Sequence, residues 1–277
     1  MARAVQESPV GALLREWRQR RRLSQLELAL AADSSARHLS CVETGKAQPS
    51  RAMVLKLCDV LEVPLRERNT VLLAGGFAPE YRESSLDDDP LRSARTALTT
   101  MLTAHEPYPA VVVDRYWNVV TTNRAMSPFQ GEADDELLAR PNMYRLALHP
   151  GGPDATTYIV NHGQVREFLL DRLHRQVRST GDPILRALYD EVSRYPVPPG
   201  TRAEPEPPSP FAVPLRIATP RGELRMFSTM VTFGAPSDVT LSELAIELFY
   251  PLDEFTARTL TDLFELTTAG AGAGMSP

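Results

Sequence analysis

The chain has 277 residues, of which 43% are hydrophobic and 23% charged, as in a globular protein of about two domains. No apolar run approaches about 20 residues, residues 1–9 lack a signal-peptide pattern, and two cysteines cannot build a disulfide framework, so we expect a cytoplasmic protein that does not enter a membrane. Residues 1–82 carry a net charge of +4 and residues 83–277 a net charge of −9, which indicates a polyanion-binding domain ahead of an acidic one.

Residues 10–76 predict five short helices. Apolar side chains recur at helical spacing from Val10 to Trp17, Ser24 begins a second helix as its cap, and Gly45 ends the third. We expect Leu26, Ala29 and Leu30 to form the buried stripe of the second helix. Five helices in so short a segment predict an all-α domain.

Residues 25–44 have the spacing of a helix-turn-helix motif. Ala29 is small enough for two steeply crossing helices to touch, and Asp33 occupies the turn, where a residue with positive φ is needed. An ordinary helical hairpin would share this pattern. The segments LSQLELA, RHLSCVETGKAQPS and MVLKLCDVL, however, together resemble an XRE/Cro-type DNA-binding domain, and this resemblance favours DNA binding.

The second helix of such a motif enters the major groove, and its first residues meet base edges. The Arg37 guanidinium matches O6 and N7 of guanine, and Ala36 is small enough to meet a thymine methyl group. A solvated surface position explains His38 equally well, and helix capping is the alternative role for Ser50. The predicted DNA-binding residues are Gln25, Ser35, Ala36, Arg37, His38, Ser40, Gln48, Ser50 and Arg51. We expect a homodimer on a double-stranded operator.

The segment after the helices is acidic and aperiodic and predicts a linker. Beyond it we expect a helix, a β-hairpin within residues 109–123, several short helices, a long helix from Ala155 to Arg178, three antiparallel strands and a last helix that ends at Leu266. The fold class is therefore α+β, an all-α helix-turn-helix N-terminal domain followed by a PAS-like antiparallel sheet covered by helices. The predicted parts are a DNA-binding domain (1–78), a linker (79–90), a ligand-binding domain (91–266) and a disordered tail (267–277).

The order of the motifs in the second domain resembles the MmyB-like regulators, which pair an XRE-type domain with a PAS-like ligand-binding domain. The matching segments are VVVDRYWNVVTTNRA, NMYRLALHP and MFSTMVTFGAPSDVTLSELAIELFYPLDE. The chain departs from the family at His162, where such proteins often have Trp. The resemblance implies a regulator that responds to a small molecule, with fatty-acid-like ligands as the leading expectation.

Aromatic and methionine side chains of the sheet and helices are candidates for an apolar pocket, and an acidic ligand would need a cation there. The alternative for each apolar candidate is that it simply fills the core. The alternative for each polar candidate is that it is exposed or forms a salt bridge. The apolar candidates are Tyr116, Trp117, Met126, Phe129, Met143, Tyr144, Phe227 and Phe233, and the polar ones are Arg145, Asn161, His162 and Arg166.

Two other functions stay open at this stage. The protein could be a constitutive DNA-binding regulator whose second domain only dimerises, and an internal cavity would argue against that. It could also be a hydrolase, which is disfavoured because the sequence has no HExxH, no GxSxG, no glycine-rich phosphate loop and no clustered metal ligands. We therefore expect no enzyme activity, no cofactor and no metal.

Overall fold

The computed structural model describes residues 9–129, 135–150, 158–197 and 213–273, and the chain divides into two compact units. The first unit comprises Met1–Ser85, Arg178–Thr180 and Ala235–Ser242, and the second comprises Leu86–Val177, Gly181–Gly234 and Glu243–Pro277. The predicted α+β class is confirmed, because a helical region precedes an antiparallel sheet with helices.

The N-terminal part of the first unit is built from five helices. They are α1 (Pro9–Arg20), α2 (Gln25–Ala31), α3 (Ala36–Glu43), α4 (Arg51–Val60) and α5 (Leu65–Ala74). The predicted linker begins within this unit, since the Asn69 side chain in α5 accepts hydrogen bonds from the N–H groups of Glu80 (3.0 Å) and Tyr81 (3.1 Å).

The turn chemistry of α2 and α3 agrees with the sequence. Ser24 and Glu27 form the reciprocal capping box that begins α2. Asp33 has a φ of 46°, and Gly45 has a φ of 72° just after α3. The N–H of Lys46 then donates to Cys41 O at 2.8 Å, so the left-handed glycine lets the chain satisfy a carbonyl at the end of the helix.

The predicted buried stripe of α2 is wrong at two of its three positions. Leu26 is 59% exposed and Leu30 is 66% exposed. The seven-residue helix packs instead through Leu28, Ala29 and the following Ala32, which are all buried. Two of these three are small, and the close contact with α3 selects small side chains over the larger leucines.

Within the part of the chain that the structure describes, the second unit contains most of the remaining helices and all six strands. The helices are α6 (Arg92–His105), α7 (Asp135–Ala139), α8 (Met143–Leu148), α9 (His162–Thr180), α10 (Pro183–Val192), α11 (Val239–Ser242, in the first unit) and α12 (Glu254–Ala273). The strands are β1 (Ala110–Val113), β2 (Val119–Thr122), β3 (Tyr158–Ile159), β4 (Leu215–Thr219), β5 (Gly222–Thr232) and β6 (Ala245–Pro251).

The strands form one antiparallel sheet in the order β2-β1-β6-β5-β4-β3. The register pairs Val111 with Glu247, Glu247 with Met230, and Ser228 with Phe249, so these side chains lie on one face. All four residues of β1 are buried, which shows that both faces of the sheet are covered at its centre. The face that carries Val111, Glu247 and Phe249 lines the cavity described below.

Strand β3 was not predicted, because its residues were assigned to the start of the long helix. Tyr158 and Ile159 pair with Ala218 and Ile217, and α9 begins only at His162. An edge pairing with β4 therefore overrides the helical spacing of these two residues. At the other end of the domain, α12 continues to Ala273, so the predicted end of that helix at Leu266 is too early; residues 274–277 of the predicted tail lie outside the described residues.

A close approach between α1 and α3 gives the first prediction. A Cβ atom added at Gly11 would lie 2.3 Å from the carbonyl oxygen of Val42. Alanine is the better helix former by about 1 kcal/mol, but α1 must move off α3 to admit the methyl group. We expect Gly11→Ala to lower the free energy of unfolding by about 1–3 kcal/mol, measured by thermal or urea unfolding.

The matched control is Gly234→Ala, because a Cβ there meets no atom within 4 Å. We expect its unfolding midpoint to equal that of the unchanged protein. An equal midpoint for Gly11→Ala would contradict the close packing of these two helices.

Candidate DNA interface and ligand cavity

A buried carboxylate fixes the helix-turn-helix. Glu43, at the end of α3, is 4% exposed and accepts hydrogen bonds from Arg18 Nε (2.6 Å) and Nη2 (2.8 Å) and from Gln25 Nε2 (2.8 Å). These bonds join α1, α2 and α3 through one charge pair. Removing either charge would leave the other buried without its counter-charge, so the pair holds the relative orientation of the three helices.

The N-terminal turn of α3 presents two of the predicted DNA-binding side chains to solvent. Arg37 and His38 are exposed, and the Arg37 guanidinium makes no hydrogen bond or ion pair with any described residue. Ala36 beside them is half-buried and packs against the core. A guanidinium presented on the first turn of this helix can grip a guanine edge.

The other predicted DNA-binding residues already have roles within the fold. Ser35 and Ser50 cap α3 and α4 by accepting from the N–H groups of His38 (3.1 Å) and Met53 (3.2 Å). The side chain of Gln48 donates to Gly75 O at 3.0 Å, and Arg51 pairs with Glu80. Ser40 is half-buried. Gln25 is held by Glu43, as described above.

The second unit contains a cavity of about 700 Å³ between the sheet and the helices α8 and α9. Its wall is mainly apolar, which suits a ligand with a long hydrocarbon portion. The residues that line it are Val111, Trp117, Val119, Thr122, Met126, Phe129, Leu138, Pro141, Met143, Tyr144, Leu146, Ala147, His149, Pro150, Ile159, His162, Val165, Phe168, Leu169, Arg172, Val213, Leu215, Ile217, Ser228, Glu247 and Phe249.

The structure brings half of the predicted ligand-binding residues to this cavity. The residues that line it are Trp117, Met126, Phe129, Met143, Tyr144 and His162. The remaining six do not line it; they are Tyr116, Arg145, Asn161, Arg166, Phe227 and Phe233.

Contacts with neighbouring residues account for the position of most of the six predicted residues that do not line the cavity. Arg145 forms a bidentate pair with Glu191 in α10, with both hydrogen bonds at 2.7 Å. Phe227 stacks on Tyr250, with ring centroids 5.1 Å apart. Phe227 points to the opposite face of the sheet from Ser228, since adjacent strand residues alternate between faces.

Asn161 and Arg166 bind backbone instead of facing the cavity. Asn161 Nδ2 donates to Pro214 O at 2.6 Å, and its Oδ1 accepts from the N–H of Arg216 at 3.1 Å. Arg166 Nη2 donates to Ser193 O at 2.6 Å. Asn161 thus attaches the start of α9 to β4. Tyr116 lies under the guanidinium of Arg115, 5.1 Å from its carbon.

Five polar residues of the cavity wall were not predicted as ligand-binding: Arg172, Ser228, Glu247, Thr122 and His149. The spacing of α9 contains a signal for the first of them, because Val165, Leu169 and Arg172 follow one helical face. No sequence signal indicates that Glu247, in the middle of a buried strand, contributes to the same wall.

Arg172 lies in this wall with few partners. Its guanidinium carbon is 3.9 Å from the centre of the Trp117 ring, its Nη1 is 3.9 Å from Glu247 Oε1, and its Nη2 is 3.6 Å from the sulfur of Met230. The carboxylate is beyond hydrogen-bond distance, and a thioether is a weak acceptor. Arg172 therefore keeps donor capacity for a further acceptor.

Tyr144 and Ser228 complete the polar group. The ring of Tyr144 meets that of Trp117 edge to face at 5.2 Å, and its hydroxyl is buried without a partner among the described residues. Burial raises the pKa of Tyr144, and the charges of Arg172 and Glu247 also act on it. Ser228 Oγ donates to Glu247 Oε1 at 2.8 Å. We call Arg172, Tyr144, Ser228 and Glu247 the polar cluster.

The described residues contain no group of three or more side chains suited to a metal ion, and none of their helices is long and apolar enough to cross a membrane. Cys41 and Cys58 are both free, and burial raises the pKa of the Cys58 thiol to about 12.

Comparison with known proteins identifies both parts of the chain. A family model of the MmyB-like transcription regulator ligand binding domain matches residues 94–263, and a helix-turn-helix domain model matches residues 9–71. No curated protein matches the chain.

A solved structure of an RNA-binding light-oxygen-voltage receptor aligns with 96% of this chain and 65% of its own chain, at 14% identity and a TM-score of 0.22. That similarity is too low to support a statement about fold or function. Because the ligand-binding model matches more than half of the chain, the protein belongs to the MmyB-like transcription regulators and joins a DNA-binding helix-turn-helix domain to a ligand-binding domain.

Proposed function

We propose that this regulator acts in the cytoplasm as a homodimer and senses an elongated, mostly apolar ligand, a fatty acid, in the cavity of its second domain. The observation that carries the proposal is a cavity of about 700 Å³ whose wall is apolar except for a few polar side chains, the polar cluster among them. We retain 1–78 for the first domain and 79–90 for the linker as proposals, and we propose that the second domain runs from residue 91 through the end of α12 at Ala273.

Arg172 is the proposed anchor for the ligand carboxylate. A guanidinium offers five donors in a planar fork, and among the described residues only a thioether sulfur lies within hydrogen-bond reach of this one. The Trp117 ring supports its face.

The carboxylate of Glu247 disfavours an anionic ligand at Arg172. Its carboxylate already faces Arg172 at 3.9 Å and would repel an anionic head group. Since Ser228 donates to Glu247, that carboxylate keeps a partner when the guanidinium turns to a ligand. Glu247→Gln should accordingly strengthen the binding of an anionic ligand.

The apolar wall accommodates the hydrocarbon chain. Strands contribute side chains such as Val111 and Phe249, and α9 contributes Val165, Phe168 and Leu169. Burial of methylene groups contributes about 0.8 kcal/mol each, so a medium or long chain binds more tightly than a short one.

The cavity argues against a domain that only dimerises. Turnover of acyl esters that is lost in His149→Ala would support the hydrolase alternative.

The proposal for the first domain is that α3 reads the operator. Arg37 would contact guanine, and Ser35, Ala36 and His38 would face neighbouring bases. The other predicted residues would meet the phosphate backbone with the groups that their bonds within the fold leave accessible. The two α3 helices of a homodimer would bind half-sites of a near-palindrome about 10–10.5 base pairs apart, or a multiple of that.

Removal of the Arg172 charge tests the ligand proposal. In the full chain, palmitic acid at a hundredfold excess over its dissociation constant should raise the free energy of unfolding by about 2.7 kcal/mol. Arg172→Met should weaken palmitate binding roughly 10- to 100-fold, as for the loss of a charged hydrogen bond. Thermal-shift titrations measure both effects.

The matched control is Arg175→Met, which removes the same charge from α9 at an exposed side chain paired with Asp171. Its palmitate affinity should stay within about twofold of the unchanged protein, a difference that is small on the affinity scale. Equal losses in both variants would show a general charge effect and contradict the anchor. No shift with any fatty acid would contradict the proposed ligand class.

Removal of Arg37 tests the DNA proposal. Arg37→Ala should weaken operator binding by about 1–3 kcal/mol and leave binding to random DNA nearly unchanged. Arg66→Ala, an equal charge change in α5, should affect neither, as gel-shift or anisotropy titrations at one salt concentration can measure. Equal losses of Arg37→Ala on both DNAs would assign this side chain to a phosphate instead.

A further inference from the structure

The helices α1 to α5 each end in the same backbone motif. The residue two positions beyond the helix has a positive φ and donates its N–H to the carbonyl three residues back, and the next N–H donates to the carbonyl five residues back. Glycine is the ordinary residue at such a position, because it has no Cβ. The residues found there are Arg22 (φ 57°), Asp33 (46°), Gly45 (72°), Glu62 (48°) and Gly76 (79°).

The side chain of Arg22 has no role within the fold that would explain an arginine at this position. It is exposed and makes no hydrogen bond, ion pair or ring contact with any described residue. The two arginines before it are both engaged, since Arg21 donates to Leu61 O at 2.8 Å and Arg20 pairs with Glu16. The five donors of the Arg22 guanidinium therefore stay available for an acceptor outside the described chain.

The turn that carries Arg22 is fixed to the helix-turn-helix. Arg18 Nη1 donates to Leu23 O at 2.9 Å, and the same guanidinium binds the buried Glu43 at the end of α3. Glu43 also accepts from Gln25, the first residue of α2. Arg22 thus has a defined backbone position three residues before the start of α2.

The docking geometry of a helix-turn-helix brings this turn to the DNA backbone. The second helix of the motif, here α3, lies in the major groove, while the first helix, here α2, crosses the phosphates. We propose that Arg22, in the turn that leads into α2, binds a phosphate of the strand that α2 crosses. The inference rests on the proposed function of the first domain, because it takes α3 to lie in the major groove.

A phosphate contact would offset the conformational cost of an arginine with positive φ. Side chains in this backbone region lower stability, and they persist where the residue serves another purpose. A guanidinium also matches the oxygens of a phosphate group geometrically. Such a contact positions the protein on DNA and carries no sequence information.

The turn after α4 provides a matched control for the backbone. Glu62 is exposed, has a φ of 48° and has the same pattern of backbone hydrogen bonds as Arg22. Its carboxylate would repel a phosphate. Glu62 therefore has the conformational cost of Arg22 without the proposed contact.

The experiment measures binding of the full chain to a fluorescently labelled random-sequence duplex, at salt concentrations from about 50 to 200 mM. Arg22→Gly should weaken binding roughly fivefold, as for the loss of an exposed ion pair. The slope of log K against log salt should decrease in magnitude by about 0.9 for each protomer that contacts the duplex. The unfolding midpoint should stay equal or rise, because glycine adopts this φ without strain. A merely structural role would lower the midpoint.

Three further variants of the turns and one charge control complete the design. Arg22→Gln keeps a side chain on this backbone and should weaken binding as Arg22→Gly does, whereas Arg22→Lys should retain the salt slope. Glu62→Gly makes the matching backbone change and should not weaken binding. Arg66→Ala removes an equal charge from α5, where the guanidinium pairs with Glu83 at 2.7 Å, and should leave the slope unchanged.

An unchanged salt slope in Arg22→Gly or in Arg22→Gln would overturn the phosphate contact. It would leave the proposed function standing, because Arg37→Ala tests the reading of the operator separately. Equal losses in Arg22→Gly and Arg66→Ala would show a general charge effect and would also overturn the contact. Binding of no duplex by the unchanged protein would overturn both.

Discussion

Trp117 is the constraint on which the ligand-binding domain depends. It ends the turn after β1 with a φ of 68°, which bulky residues rarely adopt, and its side chain is 8% exposed. Its backbone carbonyl accepts from the N–H of Met143 at 2.9 Å, and its Nε1 donates to Gln176 Oε1 at 2.8 Å. One strained residue therefore connects the β-hairpin to both helices that enclose the cavity.

The position of that ring also determines the chemistry of the cavity. Arg172 lies over its face and Tyr144 meets its edge, so two of the hydrogen-bond donors of the polar cluster are held by contact with an aromatic surface. Gln176 further bonds to the carbonyl of Arg115 at 3.2 Å, and the Arg115 side chain pairs with Asp182 and Glu243. A ligand can change the DNA affinity of a regulator only if it binds the DNA-competent and the incompetent form unequally.

Much of the fold was predictable, because local chemistry determines it. Ser24, Asp33 and Gly45 give the limits of the helix-turn-helix through capping and positive φ, and the β-branched run at Val111–Val113 identifies the central strand. Tertiary contact decided what was missed. The close packing of α2 on α3 turns Leu26 and Leu30 outward, and pairing with β4 makes Tyr158 and Ile159 a strand.

The cavity was predictable in its apolar part and not in its polar part. Trp117, Met143 and Tyr144 follow from composition and order along the chain, whereas Arg172 and Glu247 lie more than 70 residues apart and meet only through the sheet register and the position of α9. Arg145 lies outside the cavity because its guanidinium pairs with a nearer carboxylate, that of Glu191.

The most direct test of the central claim is mass spectrometry of the full chain, purified without denaturation, followed by extraction of the small molecules bound to it. We expect an acyl carboxylate in stoichiometric amount with the unchanged protein and a strongly reduced amount with Arg172→Met, while Arg175→Met retains it. A protein that purifies with a ligand lacking a carboxylate, or that carries the same acid in both variants, would contradict the account.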